Sequence, residues 1–252
     1  VPFTFSHPAA VLPLKYIYNR PPVLTSLVIG SMIPDFEYFL RMKDMSWHSH
    51  TWPGVIWFDL PLGIIVLLIY TIIVKDKLIA HLPAGINRRF SEFEKDKKSF
   101  KGFQWYLVAA VCIVIGAASH IIWDSFTHPF GYFVTHHWTL QKKYDIGHHG
   151  IELFNILQNV SSAVGALIIA FAIYRIPKGK FTGVGSKQIF YYWIQIIAIA
   201  LFVLLIRLSR GLSIKYYPHV IVTTISGFLI GLILVSLVTP IKKQTINTGS
   251  AE

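Results

Sequence analysis

The chain has 252 residues, of which 54% are hydrophobic and only 14% charged, and its mean hydropathy is +0.54. Soluble domains carry about 25% charged residues, so a soluble globular fold and a disordered chain are both excluded and a small integral membrane protein is expected. The 23 Lys and Arg against 12 Asp and Glu fit loops that set topology beside anionic lipid; with no basic stripe on a polar surface, membrane lipid is the expected partner and nucleic acid is not.

Residues 1–54 do not form a clear span. Pro8–Tyr18 reads as a short helix broken by Pro21-Pro22, and Val23–Met32 is apolar but short. Both are expected as short helices on the outer face of the membrane or dipping into it. Five stretches then approach the roughly 20 apolar residues that a bilayer crossing needs: 55–74, 104–122, 153–174, 189–206 and 220–239. The expected fold is all-α, a polytopic membrane helical bundle of about five transmembrane helices, forming a single domain over 1–244 with a flexible tail at 245–252.

Orientation follows from the basic residues. The loops 75–101 and 175–187 and the tail hold fourteen Lys and Arg, and the other side holds nine. The fourteen-residue side is therefore expected to be cytoplasmic, together with the C-terminus. Residues 1–54 and the loop 123–152 are expected on the outer face of a bacterial inner membrane. No cleavable leader is expected, so the N-terminus is taken to translocate unaided.

Histidine is the informative residue. Ten of the eleven fall on one side: His7, His48, His50, His120, His128, His136, His137, His148, His149 and His219. His81, in the cytoplasmic loop, is expected in solvent. Asp124 lies four residues after His120 and four before His128, which on a helix makes one stripe. Glu152 follows His148 by four, a second His and carboxylate pair at the start of the third span. Such pairs on neighbouring helices are how bundles build di-metal sites, and imidazole with carboxylate suits zinc, manganese or iron. Asp35 with His48 and His50 offers further ligands, and His7 can add another. Within His48/His50, His136/His137 and His148/His149 the ligand is left open.

A single interfacial histidine would mean only that its polar tip reaches water; two His-x3-carboxylate pairs on one side carry more weight. Asp59, at the start of the first span before Leu60-Pro61, is read either as support for the site or as a helix cap. Trp47, Trp52, Trp57, Trp123 and Trp138 mark an interfacial belt. Gly63, Gly116, Gly165, Gly227 and Gly231 mark close helix packing.

The opening Pro2-Phe3-Thr4-Phe5-Ser6-His7-Pro8, the element Gly30-Ser31-Met32-Ile33-Pro34-Asp35 and the run Ser119–Pro129 resemble a family of uncharacterised bacterial membrane proteins, similar in turn to membrane-bound metal-dependent hydrolases. The order of histidines and carboxylates also resembles that of the zinc-dependent phospholipase C and P1 nuclease type, which is helical and binds three zincs. That resemblance implies ligands at His7, Asp35, His48 or His50, His120, Asp124, His128 or His136, His148 and Glu152. This chain begins with Val1, where those enzymes use an N-terminal Trp. The resemblance implies two or three divalent ions, zinc in the first place, with Asp35 bridging ions or acting as general base. The expected function is a membrane-bound metal-dependent hydrolase with an extracytoplasmic site, acting on a phosphoester or lipid-linked substrate. The alternative is a non-catalytic protein that binds or transports a metal.

Overall fold

The computed structural model describes residues 4–16, 21–94, 102–146 and 149–241, and His148 lies outside them. The described residues are almost wholly helical. Their one sheet is an antiparallel hairpin, β1 (Lys143–Ile146) with β2 (His149–Glu152). Six helices are long and apolar enough to cross a membrane: Val23–Arg41, Trp52–Ala80, Phe103–His136, Leu153–Arg175, Ser186–Ser209 and Tyr217–Val238.

The first of the six goes beyond the short apolar piece read from the sequence. Pro34 does not end the helix Pro21–Met32. It falls at an early position of a 3-10 turn, Ile33–Asp35, where a missing N–H costs no bond, and the chain continues into the helix Phe36–Arg41. Met42, with φ of 51°, closes it in the left-handed conformation. Internal packing defines two compact units, one of Val1–Leu67 with Lys98–Ile173 and one of Leu68–Lys97 with Tyr174–Glu252.

In the first unit, the helix Pro21–Met32 lies along the helix Phe103–Thr127 with backbone touching backbone. A Cβ on Gly30 would stand 2.4 Å from the Ile113 carbonyl oxygen, and one on Gly116 would stand 2.5 Å from the Ser31 nitrogen. Only glycine permits that approach. Below the contact Val11, Val23, Leu27 and Cys112 form a buried apolar cluster. Ser6 is held the same way, since its Oγ donates to the Ser162 carbonyl at 2.7 Å and its backbone occupies the space over Gly165. The N-terminal turn Thr4–Ser6 is thereby fixed, and His7 with it.

In the second unit, Gly227 and Gly231 let Tyr217–Val238 close on Ser186–Ser209; a Cβ added to Gly227 would stand 2.9 Å from Ala200 Cα, and one on Gly231 2.9 Å from the Ile196 carbonyl oxygen. A Tyr192–Ser236 hydroxyl pair at 2.8 Å seals the contact. His81, expected in solvent, is instead 1% exposed. Its ring stacks on Tyr192 and its Nδ1 meets the Lys77 carbonyl at 2.7 Å, while its own carbonyl accepts from Trp193 Nε1. Three partners within the unit replace the water expected there.

Candidate metal centre

The first unit gathers the acidic and imidazole groups. The helix Phe103–Thr127 carries His120 and Asp124 one turn apart on its buried face, as its 3.6-residue period requires. The 3-10 turn brings Asp35 to the same level, because Ser31, one turn earlier, accepts from His120 Nδ1 at 2.8 Å. With Nδ1 occupied as donor, the Nε2 lone pair of His120 faces inward; fixing a histidine tautomer through its outer nitrogen is the usual device of a ligand histidine.

His50 arrives from the loop after Phe36–Arg41, and Glu37 holds that loop. Glu37 Oε1 accepts from the backbone N–H of Trp47 at 3.0 Å, and Oε2 from those of His48 and Ser49, both at 2.9 Å. Arg41 Nε donates to Oε1 at 2.8 Å, and the guanidinium lies 4.0 Å over the Trp47 ring. Glu37 is thus fully used, and the loop is tied to the helix that carries Asp35. Ser49 Oγ meets His50 Nδ1 at 3.0 Å, which turns His50 Nε2 to the centre.

The four side chains Asp35, His50, His120 and Asp124 each offer a ligand atom, and these atoms lie within 4.8 Å of one another. Asp35 Oδ1 is 3.4 Å from His50 Nε2 and 3.5 Å from His120 Nε2. Asp124 Oδ2 is 3.1 Å from His120 Nε2 and 3.6 Å from His50 Nε2. None of these atoms has a partner in hydrogen-bonding geometry. Buried polar atoms are normally satisfied, so two carboxylates and two imidazoles converging unsatisfied fit a divalent cation.

The second oxygen of Asp124 faces another pair. Asp124 Oδ1 is 3.6 Å from His7 Nε2 and 3.4 Å from His128 Nδ1, and the His7 ring stacks on His120 with centroids 3.8 Å apart. Burial, then the nearby His120, pushes the pKa of His7 down to about 4, so its ring is neutral at physiological pH. Burial disfavours charge on His50 too, but its contacts with Asp124 and Asp35 outweigh it and hold its pKa above the ordinary value.

The remaining sequence candidates lie elsewhere. His48 gives its N–H to Glu37 and packs its ring on Trp57 and Phe58, so of the doubled pair it is His50 that faces the carboxylates. His136 meets the Tyr132 carbonyl at 2.8 Å and stacks on that ring in an exposed helix; His128 is the one that reaches Asp124. Of the pair expected over His148 and Glu152, His148 lies outside the described residues, and Glu152 ends the strand β2 just before the helix that begins at Leu153. Glu152 there faces Lys143 at 3.6 Å and accepts from Asn155 Nδ2 at 3.1 Å. Sequence reasoning did not single out Glu37, and it met Ser31 only as part of the Gly30–Asp35 element, with no role of its own. The Glu37–Arg41 spacing of four was a visible signal for the first; the second acts through its backbone and leaves no side-chain signal.

Fold and site together define an all-α polytopic membrane protein with a buried aspartate–histidine centre able to hold a metal. The chain belongs to the family described as Domain of unknown function (DUF4184), whose model matches residues 1–237. Neither a curated protein nor a solved structure matches it.

Proposed function

We propose that this protein is a membrane-embedded metal-dependent hydrolase, with its centre on the extracytoplasmic face and a phosphoester or lipid-linked substrate. The observation that carries the reading is the convergence of Asp35, His50, His120 and Asp124 as unsatisfied ligand atoms. Those four residues would hold one divalent cation, zinc in the first place. Asp124 would share a second with His7 and His128. A cation held there supplies Lewis acidity, polarising a phosphoryl or carbonyl oxygen and making water acidic near neutral pH.

The protein's own groups divide the remaining work. Ser31 and Ser49 orient the two imidazoles. Asp35 turns Oδ1 to them, and its Oδ2, without a hydrogen-bond partner, is placed to take a proton from water as general base. His7 and Asp124 are themselves buried. The side chains of His50 and His128 are 20% and 23% exposed, which leaves a way in for a substrate that a purely structural site would close.

Elemental analysis of protein purified in detergent, wild type and Asp124→Ala, tests the reading together with a screen of phosphoester substrates. The expected result is stoichiometric divalent metal that the variant loses, with hydrolysis by the wild type alone. Wild-type protein that takes up no zinc or manganese from excess ion overturns it. Metal without hydrolysis on phosphoester or ester substrates favours the non-catalytic alternative.

A further inference from the structure

Asp59 has no role in the centre as described above. It is fully buried, and neither of its carboxylate oxygens has a hydrogen-bond partner. The capping reading open from the sequence does not apply, because Thr51 caps this helix, its Oγ1 accepting from the Gly54 N–H at 3.0 Å. Nor does Asp59 form an ion pair with a Lys or Arg among the described residues; the charged groups near enough to act on it electrostatically are His50, His120, Glu37 and Asp35. Glu37 is already committed to Arg41 and three backbone N–H groups.

The local fold shows why it points inward. Asp59 closes a π-helical turn, Val55–Asp59, in which the Leu60 N–H bonds to the Val55 carbonyl. Such turns insert a residue and re-aim the side chains beside them, often at functional sites. This turn packs on both the Ile33–Asp35 turn and the helix Phe103–Thr127. One turn later Gly63 meets the Ile113 side chain, with 2.7 Å from an added Cβ to Ile113 Cγ2. Asp59 shares that face of the helix. It therefore faces the helix that bears His120 and Asp124 as well as the turn that bears Asp35.

We infer that Asp59 is a further cation-directed residue of this centre, a third carboxylate that divalent metal, rather than hydrogen bonds within the protein, would satisfy. The inference rests on the metal reading above. A carboxyl group buried without a partner either keeps its proton or, once ionised, carries a desolvation penalty of several kcal/mol, which a nearby cation offsets. Asp35 and Asp124 supply two negative charges, enough for one divalent ion. Asp59 raises the count to three, which suits a centre taking more than one, and its added oxygen shifts preference toward harder ions such as manganese.

The test is Asp59→Asn, which keeps the shape and removes the charge. Equilibrium dialysis against Zn2+ and Mn2+ reads affinity and ions per chain, and thermal unfolding of the cation-free protein reads stability. The expected result is affinity lowered about tenfold or more, or one ion fewer per chain, with a cation-free midpoint unchanged or raised because an unpaired charge has gone. Unchanged affinity and ion count overturn the inference, whatever the midpoint does. A wild type that binds no cation overturns the metal reading itself, so the two failures are distinct. Should Asp59→Asn not fold, Asp59→Ala is read by the same two measurements.

Discussion

Replacing Glu37 by Gln should cost cation affinity far more than it costs the fold. The carboxylate accepts four hydrogen bonds, three of them from consecutive N–H groups of the loop that delivers His50. The amide keeps one acceptor oxygen and turns a donor toward groups that are themselves donors, so two of the four bonds are lost. Bonds to a charged acceptor contribute about 1.5–3 kcal/mol each, a gross loss of about 3–6 kcal/mol. Trp47 is exposed and His48 half-buried, so water recovers part of this, while Ser49 is fully buried and its N–H has no such recourse. A net loss of about 2–3 kcal/mol falls on the closed loop, which corresponds to cation binding weakened about 30- to 150-fold at about 1.4 kcal/mol per factor of ten. Competition dialysis against a zinc chelator reads that loss. The thermal midpoint of the cation-free protein, which depends mainly on helix packing, should move by only a few degrees. Glu37→Asp, one methylene shorter, should recover part of the affinity. Wild-type affinity in Glu37→Gln would refute the reasoning, since His50 would then hold its position without the clamp.

Gly116→Ala should be severe, because its methyl group would meet the Ser31 nitrogen and Leu27 carbonyl at 2.5 and 2.6 Å, backbone that cannot step aside; a loss of about 2–3 kcal/mol or more in a denaturation experiment is expected, with cation binding lost alongside. Gly63→Ala, which meets only the Ile113 side chain, should cost visibly less. His48→Ala and His136→Ala should leave zinc content and affinity within about twofold of wild type, since neither ring faces the carboxylates, whereas His50→Ala and His120→Ala should abolish binding; elemental analysis separates the two groups. Acidification should weaken cation binding through the range around and below the raised pKa of His50, because a proton there must leave before the cation enters. His7, with its pKa lowered to about 4, stays neutral above about pH 5 and adds nothing to that slope, so His7→Ala should show the wild-type pH dependence between pH 5.5 and 8.

What the sequence discloses about the site follows the range of the interactions that build it. His120 and Asp124 are legible because the helical period alone puts them on one face. His50 and His48 are indistinguishable in sequence, since the choice between them is made by Glu37, more than ten residues away, gripping the loop through its backbone. The helix through Pro34 reads as a stop because proline usually ends a helix; the 3-10 turn that accommodates it depends on packing against the helix Phe103–Thr127. The pair His148 and Glu152 has helical spacing, but the antiparallel pairing of Lys143 with Glu152 places the latter residue on a strand. For Asp59 the sequence offers a cap or support for the site with equal warrant, and the Thr51 cap removes the first. The glycines behave as their spacing suggests: Gly116, Gly165, Gly227 and Gly231 each mark a place where one backbone meets another, and Gly63 one where it meets the Ile113 side chain.

The bond between Ser6 and Ser162 closes a loop of 156 residues, and it fixes the turn that delivers His7. During synthesis, which runs from the N-terminus, His7 is among the first groups made, yet the anchor that fixes its turn, Ser6 on Ser162 and over Gly165, exists only once the helix Leu153–Arg175 has been laid down. The group Asp35, His50, His120 and Asp124 needs residues only up to Asp124, whereas the fixed position of His7 waits for that later helix. The centre would thus be completed in stages during biogenesis. An ion acquired at the Asp35, His50, His120 and Asp124 position would precede that step, and the anchoring of His7 beside Asp124 comes last.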